Sequence, residues 1–266
     1  MYNPRMQRKA AAATVLFGLS IWSAAARADA PWVWRGLVVP HGQVALDIGG
    51  GLAHIPDPDG RTGFGVNLEL KAGVAPGLEL GIRTGIRADD AGRATQADGY
   101  GRAFDTETYG TNGDRVANPE LHLKWAVARG PAAELGLELA AYLPIEGGSR
   151  FGMMFALPLA LHAASIRVDT GLYVPILFYD PTVSIISIPI DLWIQATRTF
   201  WLGPVFGMRF IHAGGHESEA FPFGFGIGNA IAPNADLRAW FLFPDISADQ
   251  AARSFGAGLA FEVRFG

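Results

Sequence analysis

Apolar and polar residues alternate one by one along most of this chain, and no other feature limits its fold as strongly. LELGIRTGIR (78–87) sets Leu78, Leu80, Ile82 and Ile86 against Glu79, Arg83 and Arg87. FGVNLELKAGV (64–74) sets Phe64, Val66, Leu68, Leu70 and Val74 against Asn67, Glu69 and Lys71, and PELHLKWAV (119–127) sets Leu121, Leu123, Trp125 and Val127 against Glu120, His122 and Lys124. Successive side chains of a strand point to opposite faces, so each stretch reads as a strand with one apolar and one polar side. Similar segments start at 43 and cover 134–145, 151–162, 166–177, 185–196, 200–211, 221–231, 236–243 and 254–266, twelve in all.

The connections between these segments alternate as well. Longer, polar ones such as HIPDPDGRT, the thirty-residue stretch following Arg87, HAGGHESEA and PDISADQAAR take turns with short ones such as APG, AAS, ATR and APNA. Long loops on one side and tight turns on the other describe an up-and-down antiparallel barrel; a sandwich with crossing connections has no reason to sort its loops. The expected fold is therefore all-β, an antiparallel transmembrane barrel of about twelve strands, consistent with the ~9–11 residues a tilted strand needs to cross a bilayer.

Composition places the apolar face in lipid. Only 17% of residues are charged, and Lys9, Lys71 and Lys124 are the only lysines, too few to solvate the outside of a soluble β-protein. The opposite faces mix Gly and Ala with Glu, Arg, Lys and Asp, which suits a lumen. Aromatics near segment ends, among them Trp125, Tyr142, Phe151, Phe178, Trp193, Trp201 and Trp240, fit interfacial girdles. A soluble barrel would have to pack about five apolar residues from every strand inside.

The N-terminus reads as an export signal. Arg5, Arg8 and Lys9 precede AAAATVLFGLSIW, and Ala26-Arg27-Ala28 supplies a small-residue cleavage site. The organisation expected is a signal peptide over 1–28, a periplasmic segment over 29–42 and the barrel over 43–266, with an extracellular loop at 88–117. Without residues 1–28, 17 basic and 25 acidic residues remain, a net of −8, which argues against nucleic acid as a partner. The absence of cysteine excludes a disulfide scaffold and thiolate metal sites.

The closing FGAGLAFEVRF (255–265) resembles the C-terminal targeting strand of bacterial outer-membrane β-barrel proteins: a glycine, alternating apolar residues and a final aromatic. That resemblance implies location in the outer membrane of a Gram-negative cell, with lipid and the barrel-assembly machinery as partners. Gly266 departs from the pattern by following the aromatic. Asn118 to Trp125 (NPELHLKW), followed by LAAYLPIEGG, resembles a stretch of barrels associated with phenol meta-cleavage pathways, which implies a channel for small apolar compounds.

The polar faces supply the candidate site. Across the tight turn at Pro76, Glu69 is expected opposite Arg83, with Lys71 diagonal to Glu79; Glu138 is expected near Lys124 or His122. With Arg87, Glu120, Asp169, Asp191, Arg209, Glu262 and Arg264, these residues read as a selectivity zone lining a pore, or equally as a network plugging a narrow barrel. No catalytic Ser–His pair stands on the apolar face, so an enzyme is not expected, and no cofactor or metal is implied. His212-x-x-x-His216-Glu217 has metal-like spacing but spans Gly214-Gly215. Asp105, Glu107, Asn112 and Asp114 do not fit a calcium loop, since Val116 stands where its last carboxylate belongs. The function expected is passive passage of a small solute, with lumenal charges and the 88–117 loop setting selectivity. A closed barrel with a structural or surface-binding role is the second reading, and an outer-membrane enzyme the third.

Overall fold

A computed structural model of the chain describes residues 31–55, 61–87, 116–145, 150–247 and 253–266. Its strands are β1 (Val44–Ile55), β2 (Arg61–Ala75), β3 (Leu78–Arg87), β4 (Glu120–Arg129), β5 (Ala133–Tyr142), β6 (Gly152–Ala163), β7 (Ile166–Leu177), β8 (Val183–Gln195), β9 (Phe200–Ala213), β10 (His216–Ala220), β11 (Phe223–Ala232), β12 (Ala235–Phe243) and β13 (Phe255–Phe265). Each pairs antiparallel with its sequence neighbour where one follows directly, and β13 pairs with β1 from Val44↔Phe265 to His54↔Phe255. β10 and β11 lie end to end along β9, interrupted at Phe221–Pro222, and together form one stave. The result is the closed twelve-strand antiparallel barrel that the alternation implies. Closure leaves the terminal strands without a free edge.

The two faces separate as expected. Outward side chains such as Phe64, Ile86 and Leu259 are 55%, 64% and 57% exposed, while their neighbours Gly65, Gly85 and Ala260 are buried. Exposing one large apolar side chain to water costs about 1.5–3 kcal/mol, so a belt of them around the whole circumference demands a hydrocarbon surrounding. Not all strand-end aromatics join that surface. Trp125, Phe151 and Phe178 face outward, but Tyr142, Trp193, Trp201 and Trp240 point inside and are buried. These four share the inward parity of their strands, and that parity outweighs their position near the ends.

Among the described residues the short turns fall where the loop lengths suggest, and one stretch read as a loop is strand. HAGGHESEA is not a loop: β9 continues to Ala213, and Gly214 and Gly215, both at positive φ (57° and 81°), make a two-residue hairpin turn into β10. That turn geometry requires left-handed backbone at both positions. At the same end, Asp245 in the β12–β13 connection accepts hydrogen bonds from the Ser247 hydroxyl (2.6 Å) and from the Phe221 and Ser247 amides (3.0 and 2.9 Å). Partial burial opposes its charge, yet these three donors hold its pKa below the usual aspartate value. The stabilisation it supplies is complete above about pH 3.9 and is lost as pH falls through the lowered native value. Amide exchange at Phe221 and Ser247 should therefore accelerate only under strong acid, and at neutral pH in Asp245→Ala.

Candidate functional site in the barrel lumen

From residue 31 onward, the stretch expected ahead of the barrel runs inside it, across the end where the short turns and Phe265 lie. One 3-10 turn, Trp32–Trp34, starts it, and the chain then extends to His41, which bridges to Gly73 on β2. Trp32 stacks on Trp201 (5.3 Å between centroids) and meets Trp193 edge-on (5.4 Å), with the Arg167 guanidinium 4.8 Å from its ring. Stacking and cation–π contacts of this kind are each worth about 1 kcal/mol beyond the area buried. Val33 and Trp193 are almost wholly enclosed.

The wall holds this segment mainly through its backbone. Gln195 accepts from the Val33 amide (3.3 Å), His162 Nδ1 bonds the Val33 carbonyl (2.6 Å), and Arg167 donates to the Arg35 carbonyl (2.5 Å). Glu134 and Glu79 accept from the amides of Leu37 (3.0 Å) and Val39 (2.7 Å). Arg35 adds a two-pronged pair with Asp236, whose Oδ2 also accepts from Arg264 at 2.9 Å.

The predicted lumenal residues divide into two groups. On β13 and β2 through β5, Lys71 lies 3.3 Å from both Glu69 and Glu262, Lys124 lies 3.4 Å from Glu138, and Arg264 lies 3.6 Å from Glu262. Glu69 stands opposite Arg83 in register, Arg83 makes an ion pair with Glu120, and Glu69 makes one with Lys71. Glu79 turns toward Val39 and the His122 ring (3.5 Å). The second group stands across the lumen, with Asp169 and Asp191 directly opposite each other on β7 and β8 and Arg167 clasping Asp169. Arg209 stands opposite Ser187 on the β8–β9 ladder and is buried. Arg87 stands opposite Gly65, and its side chain lies outside the described residues, as do residues 88–115 of the long loop.

Sequence reading missed Asp47, Asp236 and Arg238. They share inward parity with Gly49 and Trp240, so period two could have found them; Arg238 pairs with Asp47 across the β12–β1 side of the lumen. One cluster has the composition of a metal site: ligand atoms of Glu120, His122 and Glu138 lie within 4.8 Å of one another, all buried. Arg83 and Lys124 already neutralise its two carboxylates, so the cluster belongs to the ion-pair belt. His212 and Glu217 face each other across the hairpin, 3.6 Å apart and exposed, while His216 pairs with Ala213 one position along and points to the other side. The three do not converge on one point.

A closed twelve-strand barrel with an apolar exterior and an ionised interior defines an outer-membrane β-barrel protein. Solved structures agree. The NanC porin superposes with a TM-score of 0.58 at 7% identity, over 82% of this chain and 98% of that one. The COG4313 outer membrane channel from Pseudomonas putida F1 superposes with a TM-score of 0.60 at 11% identity, over 89% and 100%. Identities this low establish the fold alone. No protein-family model matches the chain, and no curated protein matches it.

Proposed function

We propose that the protein passes a small solute through its lumen, with segment 31–40 as the constriction and the ion-pair belt as the selectivity zone. The observation that carries this reading is that the segment narrows the lumen without filling it. A cavity of about 350 Å³ lies between the segment and the wall, bordered by Arg35, Lys71, Arg238, Glu262 and Arg264. Another of about 190 Å³ reaches Lys124, Asp169 and Asp191, and both share Trp32, Lys71, Arg167 and Arg238. Toward the long-loop end the inner wall becomes apolar at Tyr142, Met154, Tyr173 and Leu177. A solute with both apolar and polar parts suits that sequence of surfaces, and the two solved channels of the same fold, each named as a porin or channel, favour transport over catalysis.

In this reading residues 1–28 direct export, the barrel-assembly machinery reads the closing strand, and the long-loop end faces the exterior. Reconstitution in planar bilayers tests it: the native protein should conduct weakly. Reversing Lys71 and Lys124 to Glu should move the zero-current potential in a salt gradient toward cations, because these are the more accessible cations of the central cavity. A barrel that stays silent, with or without residues 92–113, supports the second reading. That reading is a closed structural barrel, favoured by the number of ion pairs buried inside.

A further inference from the structure

We infer that the inner wall carries a receptor site for a peptide backbone, which segment 31–39 occupies in cis. The ligand class is a short peptide with an aromatic residue in a single 3-10 turn and, three positions later, an arginine that opens an extended run. The inference is independent of the channel reading. It rests on how the wall addresses the segment. Val33, Arg35, Leu37 and Val39, every second residue, each offer backbone groups to side chains on five different strands: Gln195, His162, Arg167, Glu134 and Glu79. Backbone hydrogen bonds carry no sequence information of their own, so any peptide that makes one turn at Val33 and then runs extended from Arg35 can satisfy them.

Selectivity comes from two places. The slot between Trp193 and Trp201 takes the ring of Trp32, and Asp236 takes the guanidinium of Arg35 in a two-pronged pair. Three receptor groups, Glu79, His162 and Arg167, are 2%, 6% and 6% exposed and each aims a polar atom at the segment's backbone, Glu79 and Arg167 while also held by His122 and Asp169 on the wall, so the polar inner wall is matched to a peptide occupant. Trp34, by contrast, stays 43% exposed and stacks on the His162 ring.

The test keeps the folded full-length chain. A protease site is placed at the exposed His41–Gly42 turn and cut after folding, so that the segment becomes a separate peptide held only by the wall. A labelled synthetic peptide spanning 31–40 should then exchange in and bind saturably. Binding should weaken about tenfold or more when its arginine is replaced by alanine, and similarly when the Leu37 and Val39 amides are N-methylated; replacing the Leu37 side chain by alanine should change it little. Indifference to N-methylation, or no saturable binding by a cut barrel that still changes gel mobility on heating, overturns the site. If the cut segment resists washing, its retention should fall in Glu134→Gln; retention unaffected by that change also overturns it. Conductance on the same samples separates the two readings. Peptide binding to a silent barrel removes only the channel, and a conducting barrel that the peptide neither binds nor blocks removes only the receptor site.

Discussion

Asp236→Asn should convert a weakly conducting barrel into an open one, with conductance rising several-fold. Asp236 is 1% exposed and is the shared acceptor for Arg35 on the lumenal segment and Arg264 on the wall. Asparagine keeps the shape and removes the charge, leaving two guanidiniums facing each other around a neutral amide. Losing one partner of a buried ion pair costs about 3–5 kcal/mol. The wall cannot relax, because Arg264 is fixed by the β12–β13–β1 ladders. The segment can, since its covalent link to a wall strand is at Gln43 and its other ties to the wall are hydrogen bonds and ring contacts. Arg35→Ala should open the pore less, because Asp236 then keeps Arg264. Single-channel recording of both variants checks the order; equal conductance in native protein and Asp236→Asn, with the heat-dependent gel shift intact, would refute it.

Gly203→Val should abolish the barrel altogether. An added Cβ at Gly203 would overlap the Leu192 carbonyl oxygen, which is backbone and has no room to withdraw. The β8–β9 ladder already loses its pairing between Asp191↔Val205 and Ile194↔Leu202, where Pro204 offers no amide. The strands approach closely there because one of them has no side chain. This seam also closes the ring, so separating it opens the whole sheet to aggregation. Refolding into detergent, read by the gel shift on heating, should show native protein folded and the variant unfolded. A folded Gly203→Val barrel would mean that the seam tolerates displacement of a backbone strand.

Much of the architecture was legible beforehand because period two is a local property. Parity alone placed Glu69, Glu79, Arg83, Glu120, His122 and Glu138 on the inward side and Leu68, Leu80 and Leu121 on the outward side, and the structure has them there. Loop lengths placed the turns. Where local rules competed, the structure chose by parity: Trp193, Trp201 and Trp240 sit near strand ends yet turn inside. Gly266, the residue beyond the final aromatic, has its reason in packing. It lies at φ 126°, and a Cβ there would come within 2.6 Å of the Gly42 carbonyl oxygen, where the chain leaves the lumen.

By itself, the sequence determined an all-β barrel of about twelve strands, its lipid and lumen faces and the sorting of its loops, since all of these follow from side chains two residues apart and from turn length. Only the tertiary structure decided what fills the lumen. Arg35 meets Asp236 across 201 residues of chain, Leu37 meets Glu134 across 97, and Arg83 meets Glu120 across 37. Such choices depend on which side chains a curved wall brings within reach of one another, and no local period encodes that.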